Sequence, residues 1–137
     1  MKVKTLQGGG WVFYFKAPLK DLGRDVGKWM YFFSDREFAK KICHNAIEQG
    51  IVTECKHSDA GDGVCCFYIK GSDNKAHKRV IQYFLDNNLI RRTKAGKLYN
   101  IAFKYDAQTI AGKYGDDFKA KITLDQFLNL YTGEWLK

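Results

Sequence analysis

Gly27-Lys28-Trp29-Met30-Tyr31-Phe32-Phe33, followed directly by Ser34-Asp35-Arg36-Glu37, is the stretch on which the fold turns. Its aromatic first part is strand-type sequence. Ser34 to Glu37 then forms an S-x-x-E capping box, the signature of a helix start. Downstream, Phe38, Ile42 and Ala46, with Ala39, Cys43 and Ile47 beside them, mark one face of that helix, and Gly50 ends it.

The pattern continues outward in both directions. Ile51 to His57 predicts a strand, the turn-rich Ser58-Asp59-Ala60-Gly61-Asp62-Gly63 follows, and Val64 to Lys70 is its hairpin partner. Ser72 or Asp73 caps a second helix, whose apolar positions Ala76, Val80, Ile81, Phe84, Leu85 and Leu89 form a buried stripe. A turn at Lys94-Ala95-Gly96-Lys97 leads into a long strand from Leu98 to Tyr105, and Phe118 to Leu124 and Gly133 to Leu136 are shorter strand candidates. Upstream, Trp11 to Phe15 is a further strand ended by Ala17-Pro18, with residues 1–10, including Gly8-Gly9-Gly10, as a flexible lead-in. The order β, β-α-β-β-α-β and a β-rich tail predicts one α+β domain over residues 1–137: a mostly antiparallel sheet with two helices on one face and the other face free for a ligand.

The chain has 137 residues and a net charge of +8, from 23 Lys and Arg against 15 Asp and Glu, a field that attracts phosphates, nucleic acid or acidic partners. No apolar stretch reaches the length of a membrane span and the start lacks a signal-peptide core, so a cytoplasmic protein is expected. Four cysteines then read as reduced thiols, and without a CxxC spacing no metal site is expected. No cofactor is expected either.

Strand alternation sorts candidate ligand residues. From Leu98, one face carries Leu98, Asn100, Ala102, Lys104 and Asp106, and the core-like face carries Tyr99, Ile101, Phe103 and Tyr105. In the strand from Ile51, Val52, Glu54 and Lys56 alternate with Ile51, Thr53, Cys55 and His57, so Lys56 and Lys104 are candidates for a shared free face. Lysine suits phosphate there because its ammonium is a compact point charge. Trp29, Tyr31, Tyr105 and Tyr114 are available for stacking, although Trp29 and Tyr31 fit the core. His44 reads as a surface residue and His77, among Lys75, Lys78 and Arg79, as part of a solvated face. His57, at a strand end beside Lys56, is the one histidine placed like a general acid or base. Asp59 and Asp62, like Asp116 and Asp117, read as loop residues.

Gly27-Lys28-Trp29-Met30-Tyr31-Phe32 and the block Leu98 to Gly115, containing Tyr105-Asp106-Ala107-Gln108-Thr109-Ile110-Ala111-Gly112-Lys113-Tyr114, taken with Glu54-Cys55-Lys56 and Val64-Cys65-Cys66-Phe67-Tyr68, resemble the basophilic leukaemia-expressed protein family over about residues 27–115. That family shows a G-K-W-M start, an A-K pair, an I-C-x-Y strand and a Y-K-x-D-x-x-T-x-x-G block. The resemblance implies the fold of the cap-binding translation initiation factor, a curved antiparallel sheet with helices on its convex back and a concave ligand face. It also implies Lys28, Lys56, Lys104, Asp106, Thr109 and Tyr114 as site residues. The chain departs from the family in being shorter and in carrying the Trp11 strand in front.

The leading expectation is a small basic binding protein that captures a nucleotide or other phosphorylated ligand on the free face, with a phage or mobile-element protein sequestering a defence signal as one setting for it. One alternative is an enzyme acting on a phosphorylated substrate, as phosphothreonine lyases do, with Lys56 or Lys104 as base and His57 as acid. Others are an RNA- or DNA-binding module using Arg91-Arg92-Thr93-Lys94 and Lys75 to Arg79, or a protein inhibitor.

Overall fold

The computed structural model describes residues 2–110 and 120–136. Seven strands form one antiparallel sheet: β1 (Lys4–Gly8), β2 (Trp11–Phe15), β3 (Val26–Phe33), β4 (Glu54–Ser58), β5 (Gly63–Lys70), β6 (Ala102–Tyr105) and β7 (Ile122–Thr123), in the order β1-β2-β4-β5-β3-β6-β7. Two 13-residue helices, α1 (Arg36–Glu48) and α2 (Asn74–Asp86), pack on one side of it, and a short α3 (Asp106–Ile110) follows β6. This is the α+β class predicted from the sequence.

The core lies between the sheet and the two long helices. Ala39, Ile42, Cys43, Ala46 and Ile47 of α1 and Ala76, Val80, Ile81 and Phe84 of α2 meet Trp29, Cys55, Cys65 and Phe67 of the sheet. Burying one such side chain contributes about 1.5–3 kcal/mol, so these two stripes account for why both helices choose the same face.

Local expectations meet several corrections. Residues 4–8 are a strand rather than a flexible lead-in: Gly9 and Gly10, at φ +59° and +85°, make the two-residue turn that folds Lys4 to Gly8 back onto Phe15 to Trp11. The α1 N-cap is Asp35 rather than Ser34, with its carboxylate accepting from the amides of Glu37 and Phe38. For α2, Asp73 is the cap. The strand expected from Leu98 starts only at Ala102, because Tyr99 N–H donates to Arg91 O and Ile101 N–H turns back to Tyr99 O, which bends the chain before pairing begins. The strand expected from Ile51 likewise starts at Glu54.

His77 is the largest departure. It lies at 2% exposure against Trp29 and Phe103 and not on a solvated face. Its Nε2–H donates to Gly71 O at 2.8 Å, so Nδ1 is the acceptor for Trp29 Nε1–H at 3.0 Å. One tautomer thus satisfies two buried polar groups, each of which would cost about 1–3 kcal/mol unpaired.

Gly27, the first residue of the opening stretch, sets the approach of β6. A Cβ there would lie 2.5 Å from the Phe103 ring and 2.7 Å from Lys104 O. Only glycine lets β3 and β6 close at this point, where Gly27 faces Tyr105 and Lys28 faces Lys104.

Candidate functional site

The side of the sheet away from α1 and α2 is built from two cross-strand rows. One runs Phe15, Glu54, Tyr68, Lys28, Lys104 across β2, β4, β5, β3 and β6; the next runs Phe13, Lys56, Cys66, Met30. Directly opposed residues in antiparallel strands project to the same face about 4.5–5.5 Å apart at Cβ, so register alone gathers these side chains. Trp11, opposite Ser58, completes the face beside Lys56.

The three lysines named from the sequence are therefore brought together, and Asp106 with them. Lys28 Nζ lies 2.9 Å from Asp106 Oδ1, an ion pair that ties β3 to the first turn of α3. Lys56 Nζ stands 3.9 Å from the centroid of the Trp11 ring, with Phe13 at 5.6 Å and Tyr68 at 5.8 Å; Lys28 Nζ is 5.9 Å from the same Tyr68 ring. Such cation–π contacts are worth about 0.5–2 kcal/mol each, depending on desolvation. The backbone of Thr109 lies in α3, and Tyr114 lies outside the described residues.

The face is not an open plate. Lys28, Cys66, Tyr68 and Lys104 are buried, while Trp11, Phe13, Glu54 and Lys56 are half-buried. Burial and the neighbouring Lys28 ammonium lower the Lys104 pKa below its ordinary value. Burial raises Glu54, reinforced by Asp106 and opposed by Lys56. The Cys66 thiol is pushed up to about 11 by burial, against the pull of Lys56 and Lys28, and Tyr68 is raised by burial and then by Cys66, Asp106 and Glu54. Around the buried centre stand three ammonium groups and two carboxylates, Glu54 and Asp106. The chemistry available is capture of an anion, with aromatic faces beside it.

His57 is not part of this site. It projects to the helix side, fully buried, where its Nδ1–H donates to Ser58 O at 2.9 Å and Nε2 accepts from Tyr14 Oη at 3.0 Å. The expected pairing of Lys56 as base with His57 as acid is overturned by strand alternation, which sends adjacent side chains to opposite faces. Both imidazole nitrogens are committed to structural bonds.

No family model matches the chain, and no similar curated protein is found.

Trp11, Phe13, Tyr68 and Cys66 were missed as site residues, and Glu54 was placed on the face without a role. Alternation within Trp11–Phe15 separates Trp11 and Phe13 from the buried Val12 and Tyr14, a signal present in the sequence. What joins that row to Lys56 is the β2–β4 pairing, a contact about 43 residues apart in the chain that no local pattern encodes.

Proposed function

We propose that this protein binds a nucleotide or related phosphorylated small molecule on the side of the sheet away from the long helices, without transforming it. The observation that carries the reading is the convergence of Lys28, Lys56 and Lys104 on one face, with the Trp11 ring packed against Lys56. The phosphate is held by the three ammonium groups, and an aromatic base stacks on Trp11, a contact worth roughly 1–3 kcal/mol per base. Lys56 leaves the Trp11 ring for the phosphate as the base takes its place. A mostly antiparallel sheet with both long helices on one side supports the likeness to the cap-binding fold.

A binding role is favoured over the lyase alternative because the general acid that alternative used, His57, is engaged on the opposite face. The RNA- or DNA-binding alternative draws on Arg91-Arg92-Thr93-Lys94 and Lys75 to Arg79, of which Arg91 and Arg92 each donate one bond to a backbone carbonyl, Phe32 O and Gly96 O.

Isothermal titration with AMP, ATP and inorganic phosphate, followed by mass spectrometry of the recovered ligand, tests the reading. Binding of intact nucleotide tighter than inorganic phosphate, weakened about tenfold by Lys104→Gln through loss of a charge-assisted contact, is the expected result. Recovery of a dephosphorylated or eliminated product sinks the non-catalytic part, and equal affinity for AMP and phosphate sinks the role of Trp11. Because the Lys104 pKa is lowered, affinity declines at a lower alkaline pH than an ordinary lysine dictates.

A further inference from the structure

At the end of the sheet where β4 begins, Glu54 is opposite Tyr68, so Ile69 and Lys70 of β5 run on past the end of β4. Residues of the β2–β3 connector, from Lys16 to Leu22, line this region together with Val52 and Thr53. Two adjoining clefts result. One, of about 220 Å³, faces α1 and is walled by Ala17, Pro18, Ile47 and Gly50. The other, of about 260 Å³, faces α2 and is walled by Leu22, Ile69 and Ala76, with Lys70 and Arg79 at its border. Lys20, Val52 and Thr53 belong to both.

Both clefts carry basic side chains, and they differ in polarity: the α1-side lining is mostly apolar, whereas basic groups are concentrated on the α2 side. On the α1 side, Lys16 Nζ donates to Glu48 O at 3.3 Å, in the last turn of α1, where the carbonyl ends of the helix disfavour an anion. On the α2 side, Lys20, Lys70 and Arg79 stand against one carboxylate, Asp73, which is occupied in capping α2 through Ala76 N–H at 3.1 Å. Arg79 Nε donates to Ile51 O at 2.8 Å, which fixes the guanidinium at the border of the cleft while its other N–H groups remain chemically suited to a two-oxygen head group.

We propose that these clefts form a second binding site, for a small amphiphilic anion. A carboxylate or phosphate head sits among Lys20, Lys70 and Arg79, and an apolar body lies across Thr53 into the α1-side cleft against Ala17, Pro18 and Ile47. The site does not rest on the nucleotide reading, although Tyr68 borders both regions.

The test is amide chemical-shift titration of isotope-labelled protein with decanoate, decyl phosphate, decylamine and inorganic phosphate, all below micelle-forming concentrations. Decanoate or decyl phosphate is expected to move the amides of Lys20, Gly50, Thr53 and Ala76, and the tighter of the two identifies the head group. Lys20→Gln combined with Arg79→Gln is expected to weaken that binding at least tenfold while the remaining spectrum stays unchanged, as removal of charge-assisted contacts requires. Lys56→Gln, which alters the nucleotide face, leaves it unchanged. Equal shifts from decylamine, equal shifts from inorganic phosphate alone, or full binding by the double variant each overturn the proposal.

Discussion

On the helix side of the sheet, Trp29, His77, Tyr14 and His57 bury polar atoms whose partners are all supplied by the fold. On the other side, Lys28 and Lys104 are buried to the same degree as Tyr68, yet what they carry is charge. A neutral imidazole satisfied at both nitrogens adds to stability, whereas the Lys104 ammonium, its pKa lowered by burial and by the neighbouring Lys28, bears a desolvation cost that the proposed anion would relieve. Polar burial on the first side holds the fold, and charged burial on the second is the feature on which the proposed site rests.

The largest effect expected is on the helix side. Trp29→Ala removes a fully buried indole and leaves His77 Nδ1 without its donor, so urea unfolding should show a loss of about 3–5 kcal/mol. A loss under about 1 kcal/mol would mean the side chain is not the anchor its burial indicates.

Gly27→Ala sits between the two faces. Its Cβ forces Phe103 and the Lys104 backbone outward, and overpacking of this kind costs about 1–3 kcal/mol. Because Lys104 moves with β6, nucleotide affinity should fall together with stability. Unchanged affinity in a folded Gly27→Ala protein would detach Lys104 from the site.

Acid sharpens the contrast further. Burial holds folded His77 below its ordinary value of 6.5, so the stability that depends on its neutral form is complete above about pH 6.5 and is lost as pH falls through the lowered folded value. Protonation also removes the Nδ1 acceptor from Trp29. Denaturation midpoints of wild type and His77→Gln between pH 8 and 4 should converge on acidification; parallel curves would show that His77 does not titrate with unfolding.

The smallest stability effect belongs to the lysine face. Lys56 is half-buried and packed on Trp11, so Lys56→Gln should change unfolding by no more than about 1 kcal/mol while reducing nucleotide affinity about tenfold. A variant equally stable and equally able to bind would remove Lys56 from the site.

Much of the helix side was legible in the sequence because period and burial agree there. The apolar stripes of α1 and α2 were placed nearly residue by residue, since a helix buries every third or fourth position whatever it packs against. His77 was not legible: its neighbours Lys78 and Arg79 are polar, and its burial depends on Trp29, 48 residues away, offering an indole N–H. His57 was misjudged for a related reason. Its position beside Lys56 suggested cooperation, while the strand pleat turns the two apart.

By itself the sequence determined the α+β class, the two long helices, the split of strand residues between faces and the candidacy of Lys56 and Lys104, because these follow from local periodicity and charge, while Lys28 and Asp106 became candidates through the family resemblance. The pairing order β1-β2-β4-β5-β3-β6-β7 was decided only in three dimensions. That order laid Trp11 beside Lys56, set Lys28 against both Lys104 and Asp106, and sent His57 to the opposite side. Contacts between strands distant in the chain are fixed by backbone hydrogen bonding and core packing summed over the whole sheet, and no window of sequence contains that sum.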